Sequence, residues 1–284
     1  MALPTPPPRK PTVTAAATPA PARREAKKFT VGAWSSGGRG EKVVLYAESG
    51  MGKTTLAASA PAPIFVGIDD GGAKIKDPVT GQDLNRVEGI TDFQDVRDVL
   101  SQPGLFSAGK TVVIDTVTAL QDLSIPYILR VIPVSQKSGP ACNLESYGYG
   151  KGFRHVYDTM LGILSLADNL TAQGLNVVMI AQNEVMRVAN AESEDFLKEG
   201  PRLQHTSQGD VASLFREWAD HCLRIGYQGT VVKDKKAIAG CTTRAVFTQP
   251  ELWFYAKSRT IHQPVISFET PADDSLWRFM GIKG

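Results

Sequence analysis

The stretch KVVLYAESGMGKTT (residues 42–55) decides the fold, because it joins an apolar run to a glycine-rich loop. Residues 42–47 predict a short buried strand, and residues 52–60 predict a helix that begins on the loop. A strand, a glycine loop and a helix in this order are typical of a phosphate-binding loop in a β/α core. The segment therefore predicts both a fold class and a nucleotide site.

The loop has the residue types that phosphate binding requires. Gly50 and Gly52 allow the unusual backbone angles by which several N–H groups point at one phosphate. Lys53 supplies a positive charge for the β- and γ-phosphates, and Thr54 supplies a hydroxyl for Mg²⁺. Ala47 stands where such loops usually begin with glycine, but a methyl group at the end of the strand need not obstruct the phosphate. The predicted ATP-binding residues are Ala47, Glu48, Ser49, Gly50, Met51, Gly52, Lys53, Thr54 and Thr55.

The rest of the chain continues the β/α pattern until about Leu214. Apolar runs predict strands at 64–68, 111–115 and 176–182, and helices are predicted at 92–100, 116–130 and 147–172. Strands of continuous apolar character, separated by helices, indicate a mostly parallel sheet that is covered on both faces. Beyond Leu214 the segments 221–227, 230–234, 244–248 and 252–258 predict antiparallel strands with short turns.

Composition predicts one α/β domain with a tail. The chain has 284 residues, of which 42% are hydrophobic and 21% charged, which is enough for a large core. Residues 1–28 are Pro/Ala-rich and predict a disordered basic arm, which leaves 29–284 as the domain. The arm contains six basic residues and one acid, so its charge is about +5. Because the net charge of the whole chain is +2, the body carries about −3. Such an arm can contact nucleic acid or simply increase solubility.

The sequence also predicts a cytoplasmic protein. Prolines interrupt every candidate signal peptide, and no run of about 18 apolar residues could span a membrane. The three cysteines, Cys142, Cys222 and Cys241, have neither zinc-like spacing nor an even number, which favours reduced thiols.

Polar residues end three of the predicted strands. Asp115 is placed to hold Mg²⁺ through water, although an Asp at a strand end can equally cap the following helix. Asp69 or Asp70 could orient the attacking water, but Asp-Asp-Gly-Gly is also good turn chemistry. Gln182 is predicted beside the γ-phosphate if its strand neighbours that of Asp115, and its alternative role is to satisfy loop backbone.

Together these motifs resemble the RecA-type P-loop ATPases, most closely the short phage-encoded RecA-like proteins of single-strand annealing and recombination. The likeness follows motif order from about Lys42 to Arg259: AESGMGKTT, IDDGG, VVIDTVTAL, ESYGYGKGF, VVMIAQ and YAKSR. It implies one RecA-type core, with ATP and Mg²⁺ as cofactors. It also implies water activation by Asp69 or Asp70, γ-phosphate sensing by Gln182, and a basic pair that reaches a neighbour's ATP. Lys257 and Arg259 fit that pair, whereas the catalytic carboxylate is Asp where Glu is commoner.

The resemblance further implies that two loops face single-stranded DNA. They correspond to 133–153 and 183–208, and the predicted DNA-binding residues are Lys137, Tyr147, Tyr149, Lys151, Arg154 and Arg187. Basic residues suit backbone contact and aromatic rings suit base stacking. The second loop also carries many acids, which oppose DNA binding, and the aromatics of the first loop can equally be core residues.

The expected function is therefore ATP hydrolysis, stimulated by single-stranded DNA, in phage or prophage recombination. The expected partners are single-stranded DNA and further copies of the chain in a ring or filament, with a single-strand-binding protein as another candidate. Location in a bacterial host cytoplasm follows from the phage resemblance. Two alternatives remain open: a P-loop phosphotransferase acting on a small molecule, and a nucleotide-gated interaction module that does not hydrolyse ATP.

Overall fold

The computed structural model describes residues 30–32, 37–134, 141–189, 194–228, 232–234, 237–239 and 243–282. For Asp70, 232–234 and 237–239 the description covers the backbone alone. The chain divides into two compact units, Met1–Ser36 and Gly37–Gly284. In the first unit the described residues 30–32 are exposed and without regular structure, and the predicted arm lies outside the described residues.

Thirteen strands and six α-helices make up the described part of the second unit. The strands are β1 Lys42–Ala47, β2 Pro63–Gly67, β3 Thr111–Asp115, β4 Asn176–Val188, β5 Phe196–Pro201, β6 His205–Thr206, β7 Gly209–Asp210, β8 His221–Tyr227, β9 Val232–Asp234, β10 Ala237–Ala239, β11 Arg244–Phe247, β12 Lys257–Ser258 and β13 Val265–Phe268. The helices are α1 Lys53–Ala58, α2 Phe93–Ser101, α3 Val117–Val131, α4 Lys151–Ala172, α5 Val211–Trp218 and α6 Ser275–Phe279. Short 3₁₀ helices cover Asp70–Gly72 and Leu144–Tyr147.

The main sheet has the order β13-β11-β8-β1-β4-β3-β2. The five strands from β8 to β2 run parallel to one another, whereas β11 and β13 are antiparallel additions at one edge. This arrangement confirms the predicted α/β fold class, a mostly parallel sheet flanked by helices with antiparallel strands toward the C-terminus. Counted along the chain, the parallel strands lie in the order 5-1-4-3-2, so β1 and its loop are central.

Two apolar layers cover the sheet. Val44 and Tyr46 belong to the cluster that contains α2 to α5, whereas Val43 and Leu45 belong to the cluster that contains α1 and α6. Alternate residues of β1 therefore face opposite layers, as strand geometry requires. This burial on both faces explains why the parallel strands have no polar alternation in sequence.

The structure corrects three sequence expectations about strands, the first of them in part. Residues 221–227 were expected to be antiparallel, and β8 is antiparallel to β11 and β12, but it also pairs in parallel with β1. The expected strand at 252–258 is reduced to β12, which covers Lys257–Ser258. The fourth strand was expected to end at residue 182, but β4 continues to residue 188 and pairs antiparallel with β5. Much of the second predicted loop is therefore a β-hairpin, here called the β4–β5 hairpin (183–201).

Candidate nucleotide-binding site

The glycine-rich loop lies between β1 and α1 with two residues in left-handed conformation. Gly50 has φ 81° and Gly52 has φ 87°, which are angles that residues with side chains rarely adopt. Ala47 is buried in the apolar layer that contains α1 and is paired in register with Gln182 of β4. Its methyl group thus takes part in the core, which accounts physically for an alanine at the first position of the loop.

Lys53 is folded back over the loop. Its side chain is buried, and Nζ donates hydrogen bonds to the carbonyl oxygens of Ala47 and Glu48 at 2.9 Å each. A third bond, of 3.0 Å, reaches Oε1 of Gln182. Burial lowers the pKa of the Lys53 ammonium, and the nearby carboxylates of Asp115 and Asp69 act in the opposite direction. A positive charge is therefore held where the loop would receive phosphate.

Thr54 and Asp115 form a second polar pair at this site. The hydroxyl of Thr54 donates to Oδ2 of Asp115 over 2.7 Å. Asp115 is 5% exposed, and burial raises the pKa of its carboxyl to about 6. The helix cap that sequence analysis left open for Asp115 belongs instead to Thr116, whose side chain accepts from the N–H of Ala119. Asp115 is thus not used as the cap of α3.

These residues line one cavity of about 430 Å³. Its walls are the loop, the segment that follows β2, the end of β3 and the middle of β4. The lining residues are Ser49, Gly50, Gly52, Lys53, Thr54, Thr55, Asp69, Gly71, Ile75, Asp115, Thr116 and Gln182. The carboxylate of Asp69 accepts from the N–H of Gly71 over 2.9 Å, which is turn chemistry, and it also faces the cavity. The side chain of Asp70 lies outside the described part of the chain.

The residues present fit a magnesium nucleotide. Mg²⁺ prefers oxygen ligands and is commonly held by one or two carboxylates together with the phosphates of its nucleotide. The hydroxyl of Thr54 and the carboxylate of Asp115 supply such oxygens side by side. Among the described residues there is no group of three or more His, Cys, Asp and Glu side chains that could hold a metal without a nucleotide. This donor set suits an ion that arrives with phosphate.

Gln182 connects the cavity to the β4–β5 hairpin. Its side chain contacts Lys53, while its N–H donates to Oγ1 of Thr118 over 3.0 Å. Its carbonyl accepts from the N–H of Arg202 over 2.7 Å, at the point where the chain leaves the hairpin. The hairpin begins at the next residue, Asn183. One residue therefore contacts the phosphate-loop lysine, the start of α3 and both ends of the hairpin.

The predicted DNA-binding residues have unlike surroundings. Tyr147 is buried, and its hydroxyl donates to the carbonyl oxygens of Ile128 and Ile132, so its ring packs against the core and presents no open face for a base. This corrects the stacking role expected for it. Tyr149, in contrast, is 99% exposed. Lys137 lies outside the described residues.

The charged members of that set lie on the surface. Lys151 is exposed at the first position of α4. Arg154 pairs with Asp158 at 3.0 Å, and its guanidinium lies 4.6 Å from the centre of the Tyr157 ring. Arg187 is exposed on the hairpin and pairs with Asp195 at 2.9 Å.

The two predicted DNA loops meet in the structure. Nε2 of Gln204 donates to the carbonyl of Phe153 over 2.9 Å. Gly150 packs so closely against Gln208 that a Cβ at Gly150 would lie 2.4 Å from that side chain. The segment before α4 and the segment after the hairpin therefore form one continuous surface.

The proposed basic pair is held within its own chain. Nζ of Lys257 donates to the carbonyls of Arg216 and Glu217 at the end of α5, over 2.7 and 3.3 Å. Arg259 pairs with Asp220 at 3.2 Å, and its side chain is 62% exposed. Of the two, Arg259 is therefore the residue that presents its charge to solvent.

Sequence reasoning missed Arg244, which lies beside the loop. A Cβ on Gly52 would be 2.6 Å from Nη1 of Arg244, and the guanidinium lies 5.2 Å from the centre of the Phe268 ring. This contact could not be predicted from sequence, because Arg244 is a single arginine at the start of a C-terminal strand and no recognisable motif surrounds it. The strand order, which brings β11 within two strands of β1, produces it.

The parallel core, the glycine loop with its lysine, and the Thr54–Asp115 pair define a P-loop ATPase domain that binds ATP. A family model described as an AAA domain matches residues 39–260, and the chain belongs to that family. A curated relative is the uncharacterized ABC transporter ATP-binding protein YbbA of Escherichia coli K12, 31% identical over 120 residues. The match covers 42% of this chain and 48% of YbbA, and the Shigella flexneri YbbA protein matches equally. This chain thus spans about half the length of these relatives.

Two solved archaeal structures are also similar. The flagellar accessory protein FlaH of Methanocaldococcus jannaschii is 10% identical with a TM-score of 0.41, and the match covers 81% of this chain and 85% of FlaH. The KaiC-like protein PH0186 of Pyrococcus horikoshii OT3 is 11% identical with a TM-score of 0.39, and the match covers 81% and 90% of the two chains. Within the described residues of the present protein, no helix has the length and apolar character needed to cross a membrane.

Proposed function

We propose that this protein hydrolyses ATP with Mg²⁺ and couples the state of its nucleotide to the binding of single-stranded DNA, in phage or prophage recombination or annealing. The observation that carries the proposal is the 3.0 Å contact between Nζ of Lys53 and Oε1 of Gln182. A phosphate that draws Lys53 toward itself changes this contact. Because Gln182 also holds both ends of the β4–β5 hairpin, the change is passed to a surface outside the nucleotide site.

The residues of the cavity divide the chemistry of hydrolysis among them. Lys53 binds and neutralises phosphate oxygens, and Thr54 with Asp115 hold the metal. Bound Mg²⁺ supplies neutralisation of the charge that develops on the phosphate oxygens. Asp69 faces the same cavity, and its carboxylate orients the attacking water and accepts its proton. Asp70, the next residue, is the alternative candidate for that role.

DNA contact is assigned to the joined surface of the two loops. Tyr149 offers an exposed ring for base stacking, while Lys151 and Arg154 offer charges for the phosphate backbone. Arg187 adds a cation on the hairpin itself. The hairpin also carries the exposed acids Glu184 and Glu194, so each chain binds DNA weakly.

Assembly into a homo-oligomer strengthens such binding, because the contacts of several chains add along one strand. Arg259, exposed at the end of β12, is the residue proposed to reach the ATP of a neighbouring copy. Lys257 has an indirect part in this contact between copies, because it holds the end of α5 through the carbonyl of Arg216. A single-strand-binding protein is a further proposed partner in the same pathway.

The test is ATP turnover with and without single-stranded DNA, at two salt concentrations. Stimulation that falls as salt rises supports backbone contact. Lys53→Ala serves as the variant without nucleotide chemistry. Turnover that DNA leaves unchanged, in a protein that binds ATP, contradicts the DNA proposal and leaves the hydrolytic part standing.

A matched pair of variants locates the DNA surface. Arg154 and Arg278 are both exposed arginines paired with an aspartate four residues away, on helices that cover opposite faces of the sheet. Arg154→Ala is expected to lower DNA affinity and Arg278→Ala to leave it unchanged. Equal losses in the two variants would mean that DNA responds to total charge and not to this surface.

A further inference from the structure

Arg244 lies beside the glycine-rich loop that sequence and geometry suit to phosphate. Throughout the described ranges no Asp or Glu pairs with it, and the feature that its guanidinium faces on one side is the ring of Phe268 at 5.2 Å. Its Nη1 lies against Gly52, where a Cβ would meet it at 2.6 Å. The N–H donors of this guanidinium are therefore available to a ligand.

The fold holds Arg244 in this place. It is the first residue of β11 and pairs in register with Phe268 of β13 and with Tyr227 of β8. Phe268 is buried in the apolar layer beneath the loop, so the ring that supports the guanidinium is itself fixed. A planar guanidinium on an aromatic face is pre-organised, and its fork of N–H donors matches phosphate oxygens.

The contact with Gly52 defines which part of the ligand is within reach. Gly52 immediately precedes Lys53, the residue that binds phosphate oxygens in loops of this kind. A Cβ at position 52 would lie 2.6 Å from Nη1, so the guanidinium would have to shift if this position carried a side chain. Two cations from different elements, Lys53 at the start of α1 and Arg244 at the start of β11, thus lie near neighbouring positions of the loop.

We propose that Arg244 is a second phosphate-binding cation of the nucleotide site, supplied by the same chain that supplies Lys53. The proposal rests on the proposed function, in that the loop is taken to bind ATP as its ligand. It differs from the role given to Arg259, which acts on the site of a neighbouring copy. The expected ligand is any nucleoside di- or triphosphate that occupies the loop, because phosphate is the group recognised.

Equilibrium binding of ATP and ADP, measured by calorimetry on the full chain, tests the proposal. Arg244→Ala is expected to raise the Kd for both nucleotides about tenfold or more, equivalent to about 1.4 kcal/mol. Arg244→Lys keeps the charge but loses the planar fork, so it should fall between the variant and the parent. Arg278→Ala, which removes an exposed arginine from α6, should bind as the parent does.

The outcomes separate this proposal from the one on which it rests. A parent protein that fails to bind, or that binds as well after Lys53→Ala, overturns the nucleotide site itself. Binding that is normal in the parent, lost in Lys53→Ala and unchanged or tighter in Arg244→Ala overturns only the role of Arg244. A change in the ATP-to-GTP preference of Arg244→Ala would mean that the residue reads the base and not the phosphates.

A mixing experiment tests whether Arg244 acts within its own chain. Arg244→Ala and Lys53→Ala proteins are combined, and nucleotide binding is compared with the sum of the two alone. Action within one chain predicts no gain on mixing, because each site keeps its own defect. Recovery of parental affinity in the mixture would place Arg244 in the site of a neighbouring copy and overturn the proposal.

Discussion

Replacing Asp115 with Asn should make the nucleotide-free protein more stable while it removes magnesium-dependent binding. The carboxyl is 5% exposed, and burial raises its pKa from 3.8 to about 6. A rise of roughly 2 units, at about 1.4 kcal/mol per unit, corresponds to about 3 kcal/mol of penalty on the charged form as an upper bound. An amide of nearly the same shape carries no charge to bury, and its oxygen can still accept from Thr54.

The sign of the pH dependence follows from the direction of the shift. Since the pKa of the folded protein lies above that of the unfolded chain, the folded state holds this proton more tightly. The contribution of Asp115 to stability is thus fully present below about pH 3.8 and is lost as the pH rises through about 6. The advantage of Asp115→Asn over the parent should therefore be largest at pH 8 and shrink toward pH 4.

Urea unfolding at several pH values, in nucleotide-free buffer, measures this difference directly. Asp122→Asn is the control, because Asp122 is exposed on α3 and a change there should leave the free energy of unfolding nearly unaltered. In parallel, MgATP should raise the Tm of the parent and of the control but not that of Asp115→Asn. An Asp115→Asn protein no more stable than the parent at pH 8 would refute the burial penalty.

Two further predictions concern the water-activating acid and the two tyrosines. Asp69→Asn should bind ATP with an affinity within a few-fold of the parent and turn ATP over about 10²-fold or more slowly. Turnover at the parental rate in that variant would mean that Asp69 only stabilises the turn after β2. Tyr147→Phe should lower the free energy of unfolding by about 1–2 kcal/mol, since it removes the donor to two backbone carbonyls, and leave DNA affinity unchanged. Tyr149→Ala should do the reverse, losing about 1–3 kcal/mol of DNA binding with stability nearly constant; the same response from both tyrosines would contradict the distinction drawn between them.

Local patterns predicted the parts of the fold that depend on local chemistry. The loop at residues 47–55 and the acid at the end of β3 could be read from sequence, because glycines, a lysine and an apolar strand are neighbours along the chain. A strand of a parallel sheet is buried on both faces, so a continuous apolar run in the sequence likewise indicates such a strand. The parallel pairing of β8 with β1 could not be predicted, because a segment such as HCLRIGY has the same pattern of apolar and polar residues beside a parallel or an antiparallel partner.

Contacts between distant segments escaped prediction for the same reason. Sequence left open whether Tyr147 stacks on bases or belongs to the core, and only its packing against α3 shows that its ring is in the core. The β4–β5 hairpin was hidden because residues 183–188 mix charged and apolar side chains, as an exposed hairpin does. Arg244 reaches Gly52 only through the order of strands in the sheet.

The central claim is that Gln182 passes the state of the nucleotide to the DNA surface. Its most direct test is the affinity for a single-stranded oligonucleotide, measured with a non-hydrolysable ATP analogue and with ADP, in the parent and in Gln182→Ala. The parent should differ between the two nucleotides by about fivefold or more, the usual size of coupling between sites. Gln182→Ala should keep nucleotide binding and lose that difference, because Lys53 no longer contacts the base of the hairpin. Equal DNA affinity in both nucleotide states of the parent, or an undiminished difference in Gln182→Ala, would contradict the account.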